Sequence, residues 1–416
     1  MEKTMKLFLL LLLSAGLFPA RTQDNLTLDS ALQLTIRKNP ALQSLRKRIA
    51  SREQLVVQAN ARPNPEAEVE LENFGRNEFE AAVTLPIELG GKRKARTAQA
   101  KKEVTRSGLE LDAGIIEIET EVIATFLPIA ALNNRIEILD SIIAVAESMH
   151  ETIMRQVSFG ARNRIDAMRT EIRLEALRLE KEMITREKDR FSAHLPVLWA
   201  DTSGVIPVIA DKLLDTSRIP ALASFLDSVE THPEVRLQFL EQELLSADIS
   251  VIKTEAKPDL GIRGGYLRNN ERGENAVILG VSIDLPLFNR NTALIKSREI
   301  DASVLDQDFR SFLMRRKKRI RQLYDECTGV TLRIERMKTS MLPRIHAVLD
   351  TISDYYLRGS TDILDVMEVH REYLELYDTV NELMRQRAGI LTELYSLTGL
   401  YNKLTNQTTE DGSEHE

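Results

Sequence analysis

The chain has a single cysteine in 416 residues, Cys327, so it can form no intramolecular disulfide and no cysteine-based zinc centre. Aromatic residues make up 5% with one tryptophan, which leaves the interior to Leu, Ile, Val and Ala. Glycine (18) and proline (13) are too sparse for a many-loop enzyme and point to long helices. A basic excess is also missing: 56 Lys and Arg stand against 63 Asp and Glu, a net charge of -7, which excludes a strongly basic nucleic-acid binder. No glycine-rich phosphate loop, nucleophile elbow or clustered acid pair is present, and the six histidines fall in no zinc-protease spacing. Catalysis and a cofactor are therefore not expected, and Met149-His150 or Met367-Glu368-Val369-His370, although soft-metal donors by type, read as core positions of helices.

What is present begins with residues 1–22. Lys3 and Lys6 precede an apolar run from Leu7 to Phe18, too short to span a bilayer, and Ala20-Arg21-Thr22 supplies small residues before a cut ahead of Gln23. This reads as a secretory signal peptide, and its removal takes the charge to -9. No later stretch reaches the apolar length of a membrane-spanning helix; spanning strands, whose signal is weak per segment, stay open.

The remainder is written twice. Ala61-Arg62-Pro63-Asn64 returns as Ala256-Lys257-Pro258-Asp259, Leu85-Pro86-Ile87 as Leu285-Pro286-Leu287, Asn39-Pro40 as His232-Pro233, and Gly160 with Asp166 as Gly359 with Asp365, at offsets between 193 and 200. The spacing predicts a first repeat over 23–193, a linker over 194–219, a second repeat over 220–403 and a disordered tail over 404–416.

Each repeat holds one hairpin between helices. Ala67, Val69 and Leu71 alternate with Glu66, Glu68, Glu70 and Glu72; beyond the turn at Gly75-Arg76-Asn77, Phe79, Ala81, Val83 and Leu85 alternate with Glu78, Glu80, Ala82 and Thr84. Strands are expected at about 65–73 and 78–87, and in the second repeat at about 258–268 and 275–287, the length a tilted strand needs to cross a bilayer. The runs Lys92 to Phe159 and Asn291 to Leu357 read as unbroken helices. The second follows coiled-coil spacing from Ile320 to Tyr355 with one stutter at Met341, and the last helix carries two apolar stripes side by side, as a stave flanked by two neighbours requires. Four strands cannot close a spanning sheet, because about eight is the smallest closed barrel, so several chains must share one.

With these features in view, the chain resembles the outer-membrane efflux (TolC-like) family over essentially its whole mature length. Leu85 to Arg93 (LPIELGGKR) and Leu285 to Asn291 (LPLFNRN) are similar to the strand-exit signatures of its heavy-metal branch, the cobalt-zinc-cadmium and copper-silver components. The resemblance implies a mainly helical fold with transmembrane β structure: a homotrimer whose long antiparallel coiled coils form a periplasmic α-barrel, and whose strands, four per chain, form a twelve-stranded barrel in outer-membrane lipid. It also implies a periplasmic adaptor and an inner-membrane pump of the proton-driven resistance-nodulation-division type.

By the same resemblance, Asp365, Glu368 and Tyr356 belong to a periplasmic aperture, and the two helix-to-helix turns, Gly160, Arg162, Arg164 and Asp166 with Gly359 and Ser360, to the adaptor-contacting tips. An arginine usual after the second turn glycine is replaced by Thr361, which departs from the salt-bridged latch of the family. The strand alternation turns Glu66, Glu68, Glu70, Glu72, Glu78 and Glu80 to the face opposite the apolar one, toward a lumen. The expected function is a passive exit duct for divalent or heavy-metal cations. The alternatives are a duct for drugs or other small molecules and, from another class, a periplasmic coiled-coil adaptor, which would show one helical hairpin flanked by many short strands.

Overall fold

The computed structural model describes residues 26–72, 77–201, 219–270 and 272–400; the signal segment, most of the linker, the first hairpin's turn and the tail expected over 404–416 lie outside them. In chain order the elements are α1 (Leu28–Lys38), α2 (Pro40–Ala59), β1 (Glu66–Glu72), β2 (Glu78–Ile87), α3 (Lys92–Ser158), α4 (Arg164–Ser192), α5 (Leu222–Ser228), α6 (Pro233–Glu255), β3 (Leu260–Asn269), β4 (Glu274–Ile283), α7 (Thr292–Arg336), α8 (Leu342–Leu357) and α9 (Ile363–Thr398). Among the described residues no helix is long and apolar enough to cross a membrane.

Two compact units emerge from one chain. One gathers residues 26–35, 122–201 and 338–385, and its elements are all helices. Its core is a seam of Leu139, Ile142 and Ile143 from α3, Leu174, Leu177 and Ile184 from α4, and Leu374 from α9, the three- and four-residue spacing that puts one stripe of each helix inward. The presumed linker begins here as a packed 3-10 turn, Pro196–Trp199, because the indole of Trp199 is buried.

The other unit gathers residues 36–121, 219–337 and 386–400 and contains the sheet. Its helical part is built around Ile320, Leu323, Cys327, Val330 and Ile334 on one stripe of α7, with the ring of Phe225 on α5 against Tyr324 and Tyr395. Burial pushes the Cys327 thiol up, away from the reactive thiolate. The repeated helix starts use the same local device with different chemistry. Asn39 Oδ1 accepts from the amides of Ala41 (2.9 Å) and Leu42 (3.2 Å), whereas in the second copy His232 Nδ1 accepts from the amide of Glu234 at 3.2 Å, each ahead of a proline at the first helical position.

The second long helix is not continuous. It passes through a π-helical turn at Met337–Met341 between α7 and α8. The stutter at Met341 and Pro343 just beyond it explain why: the proline has no N–H to give to the turn before it, and the wider turn absorbs the residue by which the apolar pattern is out of step.

The four strands make one antiparallel sheet in the order β1-β2-β3-β4, so the two repeats contribute adjacent hairpins to a single sheet. In β1·β2, Val69 faces Ala81 and Leu71 faces Phe79, while Glu70 faces Glu80 and Glu72 faces Glu78. The same parity continues through β3 and β4, where Ile262 pairs with Val281, Gly264 with Leu279 and Tyr266 with Val277. One face is thus mainly apolar and unpacked, with Arg268 and Asn275 only at its turn end: Val277, Leu279 and Val281 are 77%, 85% and 70% exposed. β4 ends at Ile283, short of the expected 287, because β3 begins at Leu260 and offers no partner beyond it.

At the root of the sheet the two motifs that identify the repeats meet. The Asp259 carboxylate accepts from the Leu89 amide (3.2 Å) and pairs with Lys92 Nζ (2.6 Å), and Lys257 Nζ donates to the Gly90 carbonyl at 3.1 Å. Gly90 has φ +71° and lies so close to Lys257 that a Cβ would overlap its side chain, so both conformation and space demand glycine there.

Candidate functional site

Two places gather the residues singled out from sequence: the pair of helix-to-helix turns in the all-helical unit, and the polar face of the sheet in the other.

The turns share one construction. In the first, the Gly160 amide donates to the Val157 carbonyl (3.0 Å) and the Ala161 amide to Gln156 (2.9 Å); in the second, Gly359 donates to Tyr356 (3.0 Å) and Ser360 to Tyr355 (2.9 Å). These are the paired bonds of a helix end closed by a left-handed residue, here glycines with φ 70° and 74° and open space around each Cα. The chain then restarts a helix at once. Asn163 Oδ1 caps α4 through the Ile165 amide at 3.1 Å, and Asp362 Oδ1 accepts from the Ile363 amide at 2.6 Å.

The tips differ in charge. Arg162 and Arg164 bring positive charge to the first, with Asp166 half-buried in the opening turn of α4. The second is acidic: Asp365 Oδ2 accepts from the Thr361 hydroxyl (2.7 Å) and from the Asp362 amide (3.4 Å), and Glu368 pairs with Arg371, which also lies 3.7 Å from Glu375. Thr361, standing where the resemblance leads one to expect arginine, therefore orients Asp365 by a neutral hydrogen bond. Asp365 and Glu368 are both exposed, one turn apart on α9.

Tyr356 lies beneath the two tips. It is 3% exposed, packed in a cluster with Ile153, Ala167, Ile363 and Val366, with the Arg162 guanidinium 4.9 Å above its ring. The reason is its position three residues before the turn glycine, on the inward side of the last turn of α8, where an aromatic ring seals the base of both tips. Burial pushes its phenol above the ordinary range, the nearby Arg162 pulls the other way, and its hydroxyl has no hydrogen-bond partner. It also lines a cleft of about 350 Å³ with Val145, Ser148, Met149, Thr152 and Ser353.

The methionine and histidine positions lie just behind. Met149 and Met367 pack on the same cluster, and His370, whose Nδ1 is 2.8 Å from the Val366 carbonyl, is held below its ordinary pKa by burial. Among the described residues no group of three or more His, Cys, Asp or Glu could hold a metal ion.

On the sheet, Glu66, Glu68, Glu70 and Glu72 lie on the face opposite the aliphatic one, with Glu78 and Glu80 beside them on β2. A base from the second repeat joins them: Arg263 on β3 reaches across to Glu80 on β2 (2.6 Å) and Glu68 on β1 (3.2 Å). The signal was available, since Arg263 has the parity of Gly261 and Gly265 and so belongs on the polar face. What was not available was the β2·β3 pairing that carries it to the glutamates.

One further feature has no counterpart in the sequence reading. α4 presents Ile165, Met168, Ile172, Leu179 and Met183, all more than half exposed, at helical spacing along one side.

These elements define a class: a duplicated helix-hairpin-helix protein with an open-edged membrane sheet and paired helical tips. Residues 31–200 match the family model described as outer membrane efflux protein, a family of efflux ducts of the outer membrane, and the chain is similar to its members. It is similar to the cobalt-zinc-cadmium resistance protein CzcC of Cupriavidus metallidurans, 25% identical over 85% of both chains, and to the nickel-cobalt-cadmium resistance protein NccC of Alcaligenes xylosoxydans xylosoxydans, 23% identical over 56% of this chain and 55% of that one. Among solved structures, CusC superposes with a TM-score of 0.70 at 14% identity, covering 89% of this chain and 91% of CusC, and VceC of Vibrio cholerae with 0.65 at 14%, covering 89% and 96%. The last two establish the fold.

Proposed function

We propose that this protein is the outer-membrane duct of a three-part exporter of heavy-metal cations, assembled as a homotrimer with a periplasmic adaptor and a proton-driven inner-membrane pump. The observation that carries the reading is the four-stranded sheet, mainly apolar and unpacked on one face and more polar on the other, with no outer partner for β1 or β4 among the described residues. Such edges are tolerated in hydrocarbon only when other strands cover them. Three copies supply twelve strands, and the exposed stripe on α4 gives the helical staves a surface on which to pack side by side. The cation class is suggested by the resistance proteins this chain is similar to, and the acidic second tip agrees with it.

In this reading Asp365 and Glu368 repeat around the trimer axis as two rings of three carboxylates, and mutual repulsion within each ring is relieved by entering cations. The basic first tip, Arg162 and Arg164, with Gly160, Asp166, Gly359 and Ser360 shaping both turns, is the surface an adaptor engages. The glutamates of β1 and β2, partly neutralised by Arg263, line the barrel. The two repeats, 23–193 and 220–403, are the units of this architecture.

The test is conduction. In a planar bilayer the protein should prefer cations and be blocked by divalent or trivalent metal ions added from the periplasmic side, and Asp365→Asn with Glu368→Gln should relieve the block. Loss of the gene should lower the concentration of heavy-metal salt at which cells stop growing. Anion preference would overturn the acidic aperture, and unchanged metal tolerance alongside increased drug sensitivity would favour a duct for small organic molecules.

A further inference from the structure

The soft donors that read as core positions in the sequence gather at one place in the fold. Just behind the two tips, wholly within the all-helical unit, α3, α4 and α9 enclose a cavity of about 30 Å³, room for one water or a single ion. Met149 of α3 and Met367 and His370 of α9 all line it, so two thioethers and one imidazole share a space that Ile142, Ala146 and Leu177 wall with hydrocarbon. We propose that this cavity binds one soft monovalent cation, of the Cu(I) or Ag(I) class, with Met149, Met367 and His370 as its ligands. The site goes beyond the duct reading, because neither the trimer nor the carboxylates of Asp365 and Glu368 take part in it.

The imidazole is set for the task. His370 Nδ1 lies 2.8 Å from the Val366 carbonyl, which can only accept, so Nδ1 carries the proton and donates while Nε2 keeps its lone pair. Nε2 has no hydrogen-bond partner among the described residues. Anchoring one ring nitrogen to a backbone carbonyl fixes the ring and makes the other nitrogen a better donor to a metal. His150, although adjacent to Met149 in sequence, is not part of the set: its Nδ1 is 2.9 Å from the Thr170 hydroxyl, which in turn donates to the Ala167 carbonyl at 2.9 Å. The hydroxyl on the cavity wall is thereby engaged with its own neighbours.

The donor set selects the ion. Thioethers are soft ligands that suit monovalent copper and silver, whereas magnesium and calcium take oxygen and structural zinc sites are built largely on thiolate, imidazole and carboxylate. Among the described residues no carboxylate or thiolate lines this cavity. Its one charged group, Arg173, makes no ion pair among the described residues and repels a dication about twice as strongly as a monocation, since Coulomb energy is linear in charge. Access runs past Met149, which also lines the cleft of about 350 Å³ beside Ser148, Thr152 and Tyr356 and so stands between that cleft and the cavity. An ion held by Met149, Met367 and His370 joins α3 to α9 directly behind the acidic tip.

Silver(I) in chloride-free buffer is the probe, applied to full-length protein in detergent in a Cys327→Ser background so that the thiol does not contribute. Equilibrium dialysis should find close to one tightly bound ion per chain. Met149→Leu with Met367→Leu nearly conserves side-chain volume and should weaken binding at least about tenfold, the lower end of what is lost even when a group that merely orients a ligand is removed. Met168→Leu with Met183→Leu, which removes two exposed thioethers of α4, should leave binding unchanged. X-ray absorption at the silver edge of the parent should show both sulfur and nitrogen neighbours, a readout independent of whether any variant folds. About a tenfold excess of Zn(II) should not displace the silver. Absence of tight binding, equal loss in the two double variants, no loss in the first, a coordination shell without sulfur, or displacement by Zn(II) each overturns the site. None of these measurements involves conduction, so their failure leaves the duct reading standing, and anion preference in the bilayer leaves this site standing.

Discussion

The two copies of the repeat share backbone and differ in charge. Both tips close with the same pair of amide-to-carbonyl bonds around a left-handed glycine, yet one carries Arg162 and Arg164 and the other Asp362, Asp365 and Glu368. Both hairpins obey one parity, yet the face opposite the apolar one holds six glutamates in the first, whereas in the second it mixes Gly261, Arg263, Gly265, Gly280 and Ser282 with Leu267 and Ile278 and a single glutamate, Glu274. Both helix starts are capped ahead of a proline, by Asn39 in one copy and His232 in the other. Backbone requirements such as φ, parity and capping admit few residue types, whereas an exposed side chain is free to diverge. The duplication therefore preserved the scaffold and let each copy specialise, basic at one tip and acidic at the other.

The comparison is most easily broken on the sheet. Arg at Val281 would sit on the aliphatic face and should cost roughly 2 to 4 kcal/mol near the bilayer midplane, while Arg at the adjacent Ser282, on the polar face, should cost little. The fraction of each variant recovered folded in the outer membrane checks this, and equal recovery would mean that the faces are not distinguished by lipid.

The caps sharpen the comparison through pH. His232 is buried, its Nδ1 2.9 Å from the Arg316 guanidinium, and burial followed by Arg316 holds its pKa down to about 4 against 6.5. A base whose folded pKa is depressed binds its proton more readily in the unfolded chain, so stability is full above about pH 6.5 and falls as pH drops toward 4. The loss should reach on the order of 2 to 3 kcal/mol at about 1.4 kcal/mol per unit. His232→Asn, which installs the first copy's cap, should remove that part of the acid sensitivity, read as the thermal midpoint in detergent between pH 4 and 7; an unchanged profile would place the sensitivity elsewhere.

At the acidic tip, Asp365→Ala removes the acceptor of Thr361 and of the Asp362 amide and should lower stability by about 1 kcal/mol, the usual cost of a lost helix cap. Thermal unfolding measured beside Thr361→Ala, which leaves the carboxylate but not its tether, separates the two contributions.

The smallest effect belongs to the basic tip. Arg164→Glu should change stability by no more than about 0.5 kcal/mol, and Arg162→Glu by slightly more because its guanidinium lies over the Tyr356 ring. Both should weaken crosslinking to the adaptor, and undiminished crosslinking would remove the docking role from this tip.

Much of this was legible before any coordinates. Alternation of glutamate with valine and leucine determined both strands of the first hairpin and which face would be aliphatic, since strand parity is a local property of the backbone. The turn glycines announced the left-handed closures, and the stutter at Met341 marked the turn that widens at Met337–Met341. These features depend on residues within a few positions of one another, where sterics and hydrogen bonding act without reference to the rest of the fold.

Contacts across long sequence separations were decided only by the tertiary structure. Arg263 reaches Glu68 and Glu80 because β3 pairs with β2, and nothing near Arg263 in sequence specifies that neighbour. Tyr356 is buried beneath Arg162 because two turns nearly two hundred residues apart are packed against one cluster. The motifs around Gly90 and Lys257 were visible as repeats, but their meeting was not. Periodicity determines which face a residue occupies; the partner on that face is selected by the packing of distant segments, through burial and pairing that no local pattern encodes.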